Sequence, residues 1–313
     1  MRREGSALHG VGVVFLKEVS DHLSSVRMRV LEWLVVLLAV ATIYGAIQQI
    51  RDVTAEDPFL FLKLFTTARE PLPFTFVAFL TIFVPLVTII FGFDSVNGEH
   101  NRRTLSRILA QPIYRDALLF GKFLAGLFTL SVSLMALWLL VIGLGLFFLG
   151  VPPNAEEIAR IFVFLIVVIA YAGVWLALAM LFSIIFRSAV TAILIALGLW
   201  LFLMLLWPVL APALVVSLAP TSDEETLILA AQYLSRLSPS TLFGEIVLAI
   251  LTPTTRSLGP VYFSQLQGAV LGAPMPFGES LLIAWPQIVG LIAGSILLFV
   301  AGYIVFQRQE VRA

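Results

Sequence analysis

The sequence predicts an all-α integral membrane protein with six transmembrane helices, an N-terminal amphipathic interfacial helix, a short cytoplasmic helix between spans two and three, and short extracytoplasmic helices before the last span. Three observations predict it. Of 313 residues, 60% are hydrophobic and 12% are charged, against a charged share of about a quarter in soluble domains. Six apolar stretches approach or exceed the ~20 residues needed to cross ~30 Å of hydrocarbon. The charges fall in clusters between those stretches, and nowhere in the proportion that a water-exposed surface demands.

Residues 1–29 are read as a cytoplasmic amphipathic segment. Charges recur through Lys17, Glu18 and Asp21, which does not fit the basic, apolar and cleavage-site order of a signal peptide. Val11, Val14, Phe15, Val19, Leu23 and Val26 fall mostly at three- and four-residue spacing, the pattern of a helix lying along the membrane surface. The first span covers about 30–47, with Glu32 near its start, where a carboxylate can remain at the interface. The others cover about 74–93, 123–149, 161–186, 190–219 and 281–306. Pro85, Pro208 and Pro286 stand inside spans two, five and six, each removing a backbone donor.

Six spans place both termini on one side, and the positive-inside rule chooses the side. With the termini cytoplasmic, 13 of the 19 cations lie inside, among them Arg102, Arg103, Arg107, Arg115 and Lys122. The outer segments hold Arg51, Lys63, Arg69, Arg160, Arg236 and Arg256 beside an acidic excess that includes Glu156, Glu157, Asp223 and Glu245. The expected location is therefore the plasma membrane, multi-pass, as a single transmembrane domain. The inner connections are 94–122 and a turn at Arg187 and Ser188. The outer ones are 48–73, the turn from Gly150 to Arg160, and a long stretch, 220–280. Within it, TLILAAQYLSRL and STLFGEIVLAIL read as two helices, each too short to span, followed by a loop through Pro253, Pro260, Pro274 and Pro276.

The chain has no cysteine and three histidines, His9, His22 and His100, all outside the spans. With so few ionisable residues in the apolar stretches, intramembrane acid–base chemistry, metal ligation and ion-coupled transport lack their usual groups. No catalytic residue, metal site or bound cofactor is expected, and a formal net charge of zero gives no argument for nucleic acid. No GxxxxGK[ST] loop is present: Gly121 and Lys122 precede Phe123, and Asp116 stands where the first glycine belongs. Gly290 and Gly294 have the spacing that lets two helices approach, within a subunit or across a dimer.

The polar stretch 94–122 is the most informative. Asn97 and Gly98 are expected to end the second span or its extension, because both tolerate the left-handed conformation of a helix C-terminus. From Glu99 to Gln111, Leu105, Ile108 and Leu109 recur at helical spacing while Arg102, Arg103, Ser106 and Arg107 take other faces. Pro112 makes Gln111 the stop, and a second helix starts near Ile113. From pattern alone this is a short amphipathic helix between two spans, or an ordinary basic loop facing lipid phosphates.

The stretch DSVNGEHNRRTLSRILAQPIYRDALLFGKFLAG resembles the first cytoplasmic loop of ABC transporter permease subunits of the ABC-2 superfamily, the exporter-like six-span type, at Asp94, Gly98, Glu99, Arg102, Thr104, Leu105, Pro112, Ile113, Gly121 and Lys122. The likeness extends to LFSIIFRSAVTAILIALGLWL, LSPSTLFGEIVLAIL and the tail FQRQEVRA. Arg103 departs from it, standing where the family often has a small residue.

The resemblance implies a homodimer or heterodimer of permease subunits in the bilayer, each docked on a separate ATP-binding cassette ATPase. That ATPase would carry ATP and magnesium. Stretch 94–122 would be the coupling helix, with Glu99, Arg102, Arg103, Thr104, Leu105, Ile108, Leu109 and Pro112 at the ATPase and Arg187 with Ser188 as a second contact. The substrate is unidentified; Trp138, Tyr171, Trp175, Trp200 and Trp207 in the spans suit an amphiphilic cargo or simple helix packing. Some relatives serve the maturation of nitrous-oxide reductase, so the alternative is a mechanical module that acts through 220–280 on an extracytoplasmic partner without moving cargo.

Overall fold

The computed structural model describes residues 10–51, 59–68, 74–101, 115–219, 223–258 and 274–309. They form α1 (Val11–Ser24), α2 (Val26–Arg51), α3 (Leu60–Thr66), α4 (Phe76–Gly92), α5 (Asn97–Asn101), α6 (Arg115–Leu149), α7 (Ala155–Ile185), α8 (Ala189–Leu201), a π-helical turn (Phe202–Leu206), α9 (Trp207–Leu218), α10 (Glu224–Ser235), α11 (Pro239–Leu251) and α12 (Phe277–Arg308), with no strand among them. Six helices are long and apolar enough to cross a membrane: Met28–Ile50, Phe76–Glu99, Arg115–Leu149, Ala155–Ile185, Ala189–Leu218 and Phe277–Arg308. The chain is a multi-pass, all-helical membrane protein.

The bundle is built around α7. Its most apolar stretch is 72% buried, against 17% for α6 and 11% for α12, so the other helices pack on it while their outer faces are left for lipid. Its start is fixed by a capping box: Asn154 accepts from the Glu157 amide and Glu157 accepts from the Asn154 amide. The second oxygen of Glu157 accepts from the Phe61 amide at 2.8 Å, so one carboxylate caps α7 and α3 together. Small residues then let neighbours approach closely. A Cβ on Gly92 of α4 would lie 2.8 Å from the Ala179 Cβ, and one on Gly126 of α6 would lie 3.1 Å from Leu176.

Proline leaves carbonyls without donors, and the fold supplies them. Pro85 stands inside α4 without an N–H for the carbonyl of Thr81; the Tyr171 hydroxyl of α7 donates to that oxygen at 3.1 Å. In the fifth span the Trp207 amide bonds back to Phe202, five residues away. The carbonyl of Leu203 would by the same register need the N–H of residue 208, which is a proline. The Ser238 hydroxyl fills that place at 3.0 Å.

Both replacement donors involve the tip of a bent pair, α10 and α11, whose helices turn by 107°. Ser238 lies at that tip, and Ser240 shares a 2.9 Å hydrogen bond with Tyr171. Phe243 of α11 stacks on Tyr171 with ring centroids 4.4 Å apart. The second of the two short helices is thus not a surface feature: Phe243, Ile246, Ala249 and Ile250 of α11 are core residues, whereas no residue of α10 is buried. Arg236 pairs with Glu245 at 2.8 Å, and Gln287 of α12 donates to the same carboxylate at 2.8 Å.

Several expectations are corrected. Gly98 has no left-handed backbone; among the described glycines only Gly10 and Gly150 have positive φ. The break after α4 falls at the turn 93–96, and Asn97 and Gly98 begin α5 instead. Helix α6 starts at Arg115, well before residue 123, because the bilayer limits only the apolar part of a longer helix. Arg160 is not a loop cation. It is fully buried one turn into α7, paired with Glu156 at 2.7 Å and donating to the carbonyls of Ile250 and Met275 and to Ser280. Phe59 and Phe277 flank it at 5.8 Å. A desolvated guanidinium with five fixed donors closes this end of the bundle by satisfying loose chain ends from α11 and α12. On α1, Val14 and Glu18 face the bundle while Leu23 is exposed, and Val26, also exposed, already belongs to α2, so the stripe read from spacing is split. Gly290 meets Leu242 of α11 within the same chain, whereas Gly294 faces open space.

Candidate functional site

The base of stretch 94–122 carries the densest charge network of the described residues. Lys122, on the first turns of α6, is 5% exposed. Its Nζ lies 2.7 Å from Glu99 Oε1 on α5 and 2.9 Å from Glu18 Oε1 on α1. The Gly-Glu and Gly-Lys pairs that frame the stretch in sequence therefore meet in an ion pair that closes its two ends. Gly121 makes the meeting possible: a Cβ there would lie 2.7 Å from Val14 Cγ1, so α1 sits directly on the α6 backbone.

Lys17 extends the network, 2.8 Å from Glu18 and 3.0 Å from Asp21. Burial alone would raise the Glu18 carboxyl, but Lys122 and Lys17 outweigh it and hold it below the usual carboxylate range. Burial lowers the Lys17 ammonium, but its hydrogen bonds to Glu18 and Asp21 prevail and raise it. His22 sits against the Phe91 ring at 4.2 Å, and burial pushes its imidazole below the ordinary histidine range, with Glu18 opposing and Lys122 assisting. These groups border a cavity of about 250 Å³ that Asp94 and Ser95 also line.

The same base is fastened to three other elements. Ser183 of α7 accepts from the amides of Val96 and Asn97 at 3.0 and 3.2 Å. Asn97 donates to the Phe186 carbonyl at 3.2 Å and Asn101 to the Arg187 carbonyl at 3.1 Å. On the far side of the stretch, Arg115 donates to the Gln309 carbonyl at 3.0 Å, and Gln309 to the Ile184 carbonyl at 2.7 Å. Asp116 accepts from Tyr303 at 3.1 Å and from Gln307.

Of the predicted contact residues, Glu99 lies on α5, the helix whose Asn97 and Asn101 bond to the turn at Phe186 and Arg187. Arg102, Arg103, Thr104, Leu105, Ile108, Leu109 and Pro112 lie outside the described residues. The Glu99 carboxylate is turned onto Lys122, so its observed task is to close the base of the stretch. Sequence reasoning missed Glu18 and Lys122 as partners, although Lys122 is a charge set among apolar neighbours, and a charge that must be buried needs an opposite one. Among the described residues, no group of three or more His, Cys, Asp or Glu is placed to hold a metal ion.

What this arrangement can do is mechanical: it gives the 94–122 stretch a stiff base shared by α1, α4, α6, the α7–α8 turn and the tail of α12. Residues 13–311, nearly the whole chain, match the family model described as ABC-2 family transporter protein. No curated protein matches the chain.

Proposed function

The chain belongs to the ABC-2 transporter family, and from that membership we propose that it is the permease subunit that couples ATP hydrolysis on a separate nucleotide-binding subunit to export or translocation of an amphiphilic substrate. The observation that supports this most is the Glu99–Lys122–Glu18 bridge. A force on residues 102–114 enters the bundle through a base that is ion-paired at both ends and hydrogen-bonded to the neighbouring turn. Arg102 and Arg103 would fix register on the ATPase, Thr104, Leu105, Ile108 and Leu109 would fill its groove ahead of the stop at Pro112, and Arg187 with Ser188 would add a second contact. The subunit acts as a homodimer or heterodimer, with both termini cytoplasmic in the cell membrane.

Charge reversal at Arg102 and Arg103 tests the reading. Co-purification with the P-loop ATPase should be lost while the spans keep their helical circular dichroism; unchanged co-purification would overturn it.

A second reading has its own support. Helix α7 carries the α5 turn at Ser183 and the tip of the bent pair at Tyr171, and it continues to Arg160 at the opposite end. Its 31 residues make a rod about 46 Å long. Such a rod would pass a shape change from the ATPase to 220–280 and a partner beyond it, without cargo. A partner captured by 220–280 only in the presence of hydrolysable ATP would favour this second reading.

A further inference from the structure

Between α2, α4 and α6, with Ala172 of α7 as its floor, lies a cleft of about 530 Å³, well inside the range of about 300–1,000 Å³ seen for small-molecule sites. Its walls are almost wholly apolar, with Trp33, Phe83 and Leu137 among them. Two polar groups face each other in it. The Ser133 hydroxyl of α6 donates to Glu32 Oε1 of α2 at 2.9 Å, and no cation among the described residues lies within ion-pair distance of that carboxylate. The hydroxyl of Thr88, also in the wall, is committed to the carbonyls of Val84 and Pro85 in its own helix.

A carboxylate in an apolar membrane cleft loses hydration that one hydroxyl does not restore, and intramembrane acids ordinarily find an opposite charge. Here the protein supplies the anion and the hydrogen bond that orients it. The cation is what the cleft has room for. Glu32 stands four residues inside the Met28 end of its span, about 6 Å along the helix axis, the place for a charged head. From Leu130 to Leu140 the cleft follows α6 for about 15 Å, the place for a tail.

We propose that this cleft binds a single-tailed cationic amphiphile drawn from the bilayer, its ammonium on Glu32 and its alkyl chain between α4 and α6. The site deepens the amphiphile reading above and rests on it for any role in transport. Its binding test needs no ATPase, so failure of binding and failure of coupling are read in separate experiments.

Trp33 in the wall supplies the signal. The purified full chain in a neutral maltoside detergent is titrated with a nitroxide-labelled dodecyltrimethylammonium, and with the sulfate analogue carrying the same labelled tail. Saturable quenching by the cation is expected, absent in Trp33→Phe. Glu32→Gln, which keeps the shape and the Ser133 bond, should weaken it by about tenfold or more, the loss of a charge-assisted contact. The anionic analogue on the unaltered chain should bind at least tenfold more weakly than the cation. That comparison stands even if Glu32→Gln fails to fold. Equal binding of the two analogues, or of the cation to the unaltered chain and a folded Glu32→Gln, would overturn the proposal.

Discussion

Replacing Lys122 by methionine removes the cation on which the base of the 94–122 stretch closes and leaves its volume nearly unchanged. Lys122 Nζ is 2.9 Å from Glu18 and 2.7 Å from Glu99, with 5% of the lysine side chain exposed. Breaking a buried pair by removing one partner costs about 3–5 kcal/mol. Lys17 remains 2.8 Å from Glu18, so one carboxylate keeps a cation and the loss should fall at the lower end, about 3 kcal/mol. The pH dependence carries a second, independent sign. In the unaltered chain Glu18 titrates below its usual range, so the stability it contributes is complete above the unfolded value of about 4.3 and is lost as pH falls through the folded one. Without Lys122 the burial influence that raises the Glu18 carboxyl is opposed only by Lys17. Acid should then cost the variant less than it costs the unaltered chain. Denaturant unfolding in detergent, followed by helical circular dichroism from pH 7 down through the range below about 4.3, should therefore show a gap that narrows with acid. A double-mutant cycle with Glu18→Gln should give a coupling of at least about 1 kcal/mol. A gap independent of pH, or additivity of the two substitutions, would refute the reasoning.

Gly121→Ala places a methyl 2.7 Å from Val14 Cγ1 and should cost about 1–3 kcal/mol, most of it recovered when Val14→Ala is added; limited proteolysis of α1 reads whether that helix has lifted. Tyr171→Phe and Ser238→Ala each leave a proline-freed carbonyl unpaired and should each lower stability by about 1–3 kcal/mol, measured by thermal unfolding, whereas Ser217→Ala, an exposed hydroxyl bonded only within its own helix, should change little. Burial holds the His22 imidazole low amid Glu18, Lys122, Asp21 and Asp94, so its contribution is complete above about pH 6.5 and falls away as pH drops toward the folded value. His22→Gln should flatten that segment of the stability–pH curve, and an unchanged slope would assign it to other groups.

The class of the protein follows from sequence because it rests on one-dimensional quantities. Apolar length, charge clustering and charge asymmetry survive without coordinates, and they specify six spans and an all-helical chain. The framing of 94–122 by Gly98, Glu99, Gly121 and Lys122 was legible too, as a pattern. Its meaning was not, since residues 99 and 122 meet only when α5 and α6 are placed side by side and α1 brings Glu18 to the same ammonium. Arg160 was read as an outer loop cation because nothing in its own neighbourhood announces burial; the acceptors that make burial tolerable arrive from residues 250, 275 and 280. The two short helices of 220–280 were visible by length, but the burial of the second depends on hydroxyls from Ser238 and Ser240 answering carbonyl and phenol groups in other spans. Sequence alone thus determined which segments must leave water, a matter of transfer free energy summed along the chain. Tertiary structure alone decided which polar groups could follow them, because a buried charge or carbonyl is tolerated only where a partner from elsewhere in the chain reaches it.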